Sequence, residues 1–131
     1  MKILWSFFFF FPFACLTHAE FRAGAVALDV TPRQFPVLVN GSMTSRTAGS
    51  VTDPIHARAL VLADAKTEIA IVVVDSCMMP RPVLDKAKRL ATLRTGIPSD
   101  RILISATHTH TAPSTLACLG TKADPAYTPY L

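Results

Sequence analysis

Two histidines, His108 and His110, stand one residue apart in a stretch of small polar residues. In extended backbone, residues i and i+2 project to the same side, whereas on a helix they would point nearly opposite ways. Imidazole nitrogen is a good ligand for zinc, and a catalytic zinc usually takes three protein ligands and a water. The pair therefore predicts a metal-binding element at a strand end or in an extended loop. Two structural or surface histidines in a polar loop are the alternative.

Threonines flank the histidines on every side, at positions 107, 109 and 111. Hydroxyl groups next to metal ligands can fix the tautomer of an imidazole by hydrogen bonding. We therefore expect the threonines to hold the two rings in place.

The elements that must position these histidines follow from the apolar pattern. Strands are predicted at 21–30, 56–63, 68–75 and 101–106, and residues 64–67 form a short polar connection typical of an antiparallel hairpin. The third strand is apolar at every position from Ile69 to Val74, which predicts a central strand buried on both faces. Residues 80–82 then open an amphipathic helix that closes at Gly96.

The order strand, helix, strand has the length of a βαβ unit, whose two strands are parallel. The predicted fold class is therefore α/β, a mixed sheet with a β-hairpin and a βαβ crossover. The carboxyl ends of parallel strands share one edge, where sites form in open α/β sheets. Asp75 ends one of the strands and His108 and His110 follow the other, so all three should lie close together. Asp75 is expected either to orient one of the two histidines or to serve in a helix cap or a turn.

Residues 33–54 show little periodicity and are predicted to form a long loop, which in a compact domain is usually functional or poorly ordered. The loop contains Arg46, which could meet an anionic group or remain solvated. It also contains Asn40-Gly41-Ser42, a glycosylation sequon that is equally typical of a turn.

The first 19 residues have the layout of a secretory signal peptide. Lys2 precedes an apolar run, and Thr17-His18-Ala19 resembles a cleavage site. The run is shorter than the ~18 residues of a membrane-spanning helix, which is the alternative. We therefore predict an exported protein, periplasmic or secreted.

Cysteine content and charge add two further expectations. Cys77 and Cys118 remain after cleavage and could pair in an oxidising compartment or stay as buried thiols. The formal net charge of +4 is mild and the basic residues are scattered, so no nucleic-acid partner is predicted.

Four segments resemble the neutral/alkaline ceramidase family, and together they span nearly all of the mature chain. Residues 22–32 resemble its opening strand with a D-[IV]-T-P ending, and residues 53–62 its D-P-x-x-A-[RK]-A-x-V-L strand. Residues 72–77 resemble the following core strand. Residues 104–113 resemble the family's zinc motif, S-A/G-T-H-T-H-S-G/A-P, with Thr111 and Ala112 in place of the usual Ser and a frequent Gly.

The resemblance implies a zinc-dependent hydrolase of the amide bond of ceramide or a related N-acyl lipid, giving a fatty acid and a sphingoid base. It assigns His108 as a zinc ligand and His110 as a catalytic residue beside the metal. It also implies a lipid substrate and peripheral contact with membranes. The family completes its zinc site with a His, a Glu and a Tyr from later segments that these 131 residues lack.

Residues 20–131 are therefore expected to form the N-terminal part of a larger catalytic domain, truncated here. Two other functions stay open: a non-catalytic or vestigial exported module of this fold, and a metal-dependent hydrolase of another amide or ester.

Overall fold

The computed structural model describes residues 20–131, and the predicted signal peptide lies outside this range. The main body is a four-stranded mixed sheet in the order β1-β4-β5-β6. Its strands are β1 (Arg22–Asp29), β4 (His56–Ala63), β5 (Glu68–Val74) and β6 (Ile102–Ala106). A small antiparallel sheet pairs β2 (Val37–Val39) with β3 (Arg46–Ala48). The predicted α/β class with a mixed sheet is confirmed.

The hairpin and the crossover both form as predicted. β4 and β5 pair antiparallel across the polar turn, where Asp64 accepts hydrogen bonds from the backbone N–H groups of Lys66 and Thr67 at 2.8 and 2.7 Å. These bonds hold the pKa of the Asp64 carboxyl below its usual value. β5 and β6 pair in parallel, with Val74 beside Ala106 at the carboxyl ends. The two strands that carry the candidate site therefore end at the same edge.

Helix α1 (Arg81–Thr95) makes the crossover between β5 and β6. Proline in its first turn starts it without losing a helical hydrogen bond. Gly96, at φ +79°, ends it in the left-handed conformation and donates to the carbonyl of Thr92. The helix lies on the face of the sheet that carries Ala70 and Ile102, and Ala91 packs there beside Ile97.

The opposite face of the sheet carries no helix within residues 20–131. Register pairing places Leu60, Ile71 and Leu103 side by side on it, and Leu60 and Leu103 are 37% and 57% exposed. β5 is therefore central, as predicted, but the prediction that it is buried on both faces is wrong for this part of the chain. An all-apolar strand indicates a cover on each side, and the described residues supply one of them.

The segment predicted as a long loop contains β2 and β3, which periodicity missed because each strand has three residues. This small sheet docks against the histidine segment. Val39 forms a β-bridge with Pro113, and Ser114 donates to the carbonyl of Leu38 at 2.8 Å. The buried carboxylate of Asp124 accepts from the N–H of Leu38 at 2.9 Å. Residues 33–54 thus help to hold the histidine segment in place, together with the edge of the main sheet.

A final short helix, α2 (Tyr127–Tyr130), returns the chain to the first strand. The buried hydroxyl of Tyr127 donates to the carbonyl of Val30 at 2.9 Å, and burial raises the pKa of that phenol. No helix among residues 20–131 has the length and apolar character needed to cross a membrane.

Candidate metal centre

The histidine segment begins as a continuation of the parallel ladder. The N–H of Thr107 donates to the carbonyl of Val74 at 3.0 Å, and the N–H of Thr109 donates to that of Ser76 at 3.1 Å. Between them His108 adopts φ 62°, in the left-handed region. This conformation is uncommon for residues with a Cβ, although His, Asn and Asp adopt it more often than most. The extended geometry predicted for the pair is therefore wrong, and a left-handed turn brings the rings together instead.

The two imidazoles meet through their Nε2 atoms, which lie 3.1 Å apart. The rings are nearly perpendicular, at 81°, with centroids 4.6 Å apart. Both histidines are exposed to solvent. The prediction that they lie together is confirmed, and their open position leaves the nitrogens accessible to a small molecule.

Backbone carbonyls fix both rings in the same tautomer. Nδ1 of His108 lies 2.9 Å from the carbonyl oxygen of Cys77, and Nδ1 of His110 lies 3.0 Å from that of Gly41. A carbonyl oxygen only accepts, so each Nδ1 carries the hydrogen and donates it. In a neutral imidazole the other nitrogen, Nε2, then presents a lone pair.

The prediction that threonines hold the rings is wrong. The hydroxyls of Thr107 and Thr109 bond to each other at 2.6 Å, and carbonyls from two distant segments bond the rings. Carbonyl acceptors of this kind leave no trace in the residue types, because every residue carries one.

Two lone pairs that face each other at 3.1 Å repel unless a proton or a cation lies between them. With zinc–nitrogen bonds of about 2.0–2.1 Å, two nitrogens on one tetrahedral zinc lie about 3.3 Å apart. The observed separation is close to that value, and imidazole is a preferred ligand of zinc. The donor set and its spacing therefore fit a zinc ion.

Cys77 is a third candidate ligand that the sequence analysis did not assign to the site. Its Sγ and the histidine nitrogens lie within 4.8 Å of one another, so the three residues could hold a metal. Sγ lies 3.8 Å from Nδ1 of His108, the nitrogen already bonded to the Cys77 carbonyl. Burial, with Cys118 nearby, raises the pKa of the Cys77 thiol. The rule that placed Asp75 at this edge also covers Cys77, two residues further on.

The two cysteines of the described chain are free thiols: Cys77 is buried and Cys118 half-buried. Of the two states that the sequence left open, the structure thus has the unpaired one.

Asp75 serves the sheet and not the histidines. Its carboxylate accepts from Nη1 of Arg58 at 2.8 and 2.9 Å and from the N–H of His56 at 2.9 Å. Burial acts to raise the pKa of this carboxyl, but the bonds from His56 and Arg58 outweigh it and hold the pKa below the usual value. Neither expected role of Asp75 is found among the described residues: it bonds no histidine ring and closes no turn or helix cap, and instead it joins the start of β4 to the end of β5 beside the site.

We expect Asp75→Asn to destabilise the fold by about 1–2 kcal/mol at pH 7, because a charged pair and its hydrogen bonds are weakened. The pKa of Asp75 is lower in the folded state, so its contribution is present above the unfolded pKa of about 3.9 and is lost as pH falls through the folded value. Urea unfolding from pH 7 down to pH 2 should therefore give a flatter acid limb for the variant.

Asp85→Asn is the matched control for that measurement, since Asp85 pairs with Arg81 on the exposed face of α1. Its loss should change stability by less than about 0.5 kcal/mol. Equal effects of the two variants would contradict the role assigned to Asp75.

The fold and the histidine pair together define a class of protein. It is a mixed α/β domain whose parallel strand pair presents a solvent-exposed histidine pair suited to a divalent metal. No protein-family model and no curated protein matches the sequence.

Solved structures do match. The structure is similar to that of the neutral ceramidase from Pseudomonas aeruginosa, with a TM-score of 0.65 and 22% identity, over 74% of this chain and 16% of that chain. It is also similar to a ceramidase complexed with C2, with a TM-score of 0.64 and 25% identity over the same shares. The resemblance to neutral ceramidases is confirmed at the level of the fold, and the chain spans about one sixth of these neighbours.

Proposed function

We propose that this chain is the N-terminal part of a zinc-dependent amide hydrolase that acts on ceramide or a related N-acyl lipid. The observation that carries the proposal is the pair of Nε2 atoms 3.1 Å apart, each with its opposite nitrogen committed to a carbonyl. The ceramidase fold of the structural neighbours supports the proposed substrate class. The pattern of residues 1–19 supports export.

His108 is the proposed zinc ligand. The Cys77 carbonyl orients its ring and leaves Nε2 free to bind the metal. A bound zinc supplies a Lewis acid for the amide carbonyl and lowers the pKa of a water. His108 supplies one of the usual three protein ligands, so Cys77 and residues outside these 131 would supply the others.

His110 is the proposed catalytic residue. Its Nδ1–H is held by the Gly41 carbonyl, so its Nε2, 3.1 Å from that of His108, is free to accept a proton from the attacking water. The ring can then pass that proton to the leaving amine. If His110 is instead a second ligand, its loss will remove zinc as fully as the loss of His108.

The surface beside the pair suits a substrate with an apolar chain. Thr109 and Thr111, on either side of His110, line a cavity of ≈ 590 Å³. Its other walls include apolar side chains: Phe35, Val37, Val39, Val51 and Ile55. Polar residues, among them Asp53 and Asp75, line the rest, so the cavity combines apolar walls with polar groups, as a site for a small amphipathic ligand does.

The test begins with zinc and the mature chain. We expect about one equivalent of zinc to bind, and zinc at 100 times its Kd to stabilise the fold by about 2.7 kcal/mol, read as a rise in Tm. A chelator should reverse the rise. Magnesium should give none, because it prefers oxygen ligands.

Hydrolysis is then assayed by release of fatty acid from a short-chain ceramide in mixed micelles, beside a simple nitrophenyl ester. Ceramide turnover that requires zinc supports the proposal, whereas zinc-dependent turnover of the ester alone indicates a hydrolase of another substrate. Zinc binding without turnover of either indicates that further residues are needed. A chain that binds no zinc contradicts the proposal and favours the non-catalytic module.

A further inference from the structure

The side of His110 that faces away from His108 packs against the segment between β2 and β3. Gly41 adopts φ +86°, and a Cβ built there would lie 2.5 Å from Cγ of His110 and 2.6 Å from its Nδ1. Contacts below 3.0 Å are essentially never found for real Cβ atoms. The ring therefore occupies the space that any side chain at this position would need.

The same glycine supplies the acceptor for the ring. Its carbonyl oxygen lies 3.0 Å from Nδ1 of His110. Gly41 is thus needed twice, for its left-handed backbone and for the missing Cβ that lets the ring approach its carbonyl.

The side chain of Arg46, at the start of β3, bonds to the backbone of His110. Its Nη2 donates to the carbonyl oxygen of His110 and, at 3.3 Å, to that of Asn40. One guanidinium thereby joins the Gly41 segment to the histidine segment. The Arg46 side chain is exposed, so it can be changed without opening the core.

We propose that Gly41 and Arg46, together termed the His110 bracket, are positioning residues that hold the His110 ring with Nδ1 protonated and Nε2 directed at His108. The inference rests on the proposed function for the importance of Nε2. The position and the tautomer of the His110 ring do not depend on that function. Gly41 and Arg46 take no part in the proposed reaction themselves. They set which nitrogen of His110 is available.

The experiment uses the mature chain labelled with ¹⁵N, and long-range ¹H–¹⁵N correlation spectra of the imidazoles report the tautomer. The His110 signals are assigned by their loss in His110→Gln. In the unsubstituted protein we expect Nδ1 of His110 to carry the proton. In Gly41→Ala we expect the ring to lose this signature, because the added Cβ would overlap the ring atoms.

Gly96→Ala is the matched control. Gly96 has nearly the same backbone angle, φ +79°, but nothing lies within 4 Å of a Cβ built there. Both variants strain a left-handed residue, and only Gly41→Ala displaces the ring. The inference holds if Gly96→Ala keeps the His110 signature and Gly41→Ala loses it. It is overturned if Gly41→Ala keeps the signature too.

Two outcomes separate this inference from the proposed function. If the unsubstituted chain binds no zinc, the proposed function fails, and the ring signature still decides for or against the bracket. If Gly41→Ala does not fold, Arg46→Gln decides instead, by a change in the His110 signature. An unchanged signature in Arg46→Gln would then overturn the inference.

Discussion

Replacing His108 by alanine should weaken zinc binding by at least about 100-fold. Removal of a group that merely orients a ligand already costs about 10- to 100-fold, and this change removes the proposed ligand itself. The rise in Tm that zinc gives the unsubstituted chain should disappear. Equilibrium dialysis with metal analysis measures the affinity, and thermal unfolding with and without zinc gives an independent check.

His56→Ala is the control for nonspecific binding by histidine. It lies at the start of β4, beside Asp75, where Nδ1 of its ring is 3.4 Å from Nη2 of Arg58, and it takes no part in the pair. It should leave zinc affinity within about twofold, since it removes no proposed ligand. Equal losses in the two variants would mean that the chain binds zinc at no defined centre.

Replacing Asn40 by alanine should lower the free energy of unfolding by about 2–4 kcal/mol, since each buried group left without a partner costs about 1–3 kcal/mol. Asn40 is 1% exposed. Its Nδ2 donates to the carbonyl of Leu116 at 3.0 Å, and its Oδ1 accepts from the N–H of Gly41 at 2.8 Å. Urea unfolding at constant m value measures the change.

Ser42→Ala provides the comparison within the same segment. Its hydroxyl makes one long contact, 3.4 Å to the N–H of Thr44, so its loss should cost less than about 0.5 kcal/mol. The sequence Asn40-Gly41-Ser42 is typical of a glycosylation site and of a turn. The amide of Asn40 is buried and leaves no room for a glycan, so the structure favours the turn. An Asn40→Ala variant as stable as Ser42→Ala would show that this amide does not support the fold.

The large elements followed from the sequence because each has a strong local signal. An apolar run, a polar turn and a proline–glycine boundary predicted β4, β5, α1 and β6 to within a residue or two. The rule for parallel crossovers then placed Asp75 and the histidines at one edge, and Cys77 would have followed from the same rule. What failed there was the partner of Asp75: Arg58 lies on the neighbouring antiparallel strand, and only the register brings the two together.

The details of the site could not be predicted, because they depend on backbone groups brought together from far along the chain. The carbonyls of Cys77 and Gly41, which orient the rings, are 31 and 69 residues away from their histidines. The left-handed turn at His108 is set by the ladder bonds on either side of it. A pattern of residue types records neither, so the pairing of the rings was predicted correctly for the wrong geometric reason.

The backbone at His108 narrows what evolution can place there. Asn, Asp and Gly are the other residues that accept φ near +60° at little cost. None of these offers an imidazole, yet each keeps the turn. A duplicated gene with Asn in place of His108 would therefore lose the proposed zinc ligand in a single step and still keep the turn, so an intact fold in a relative of this chain is no guarantee that the relative is an enzyme.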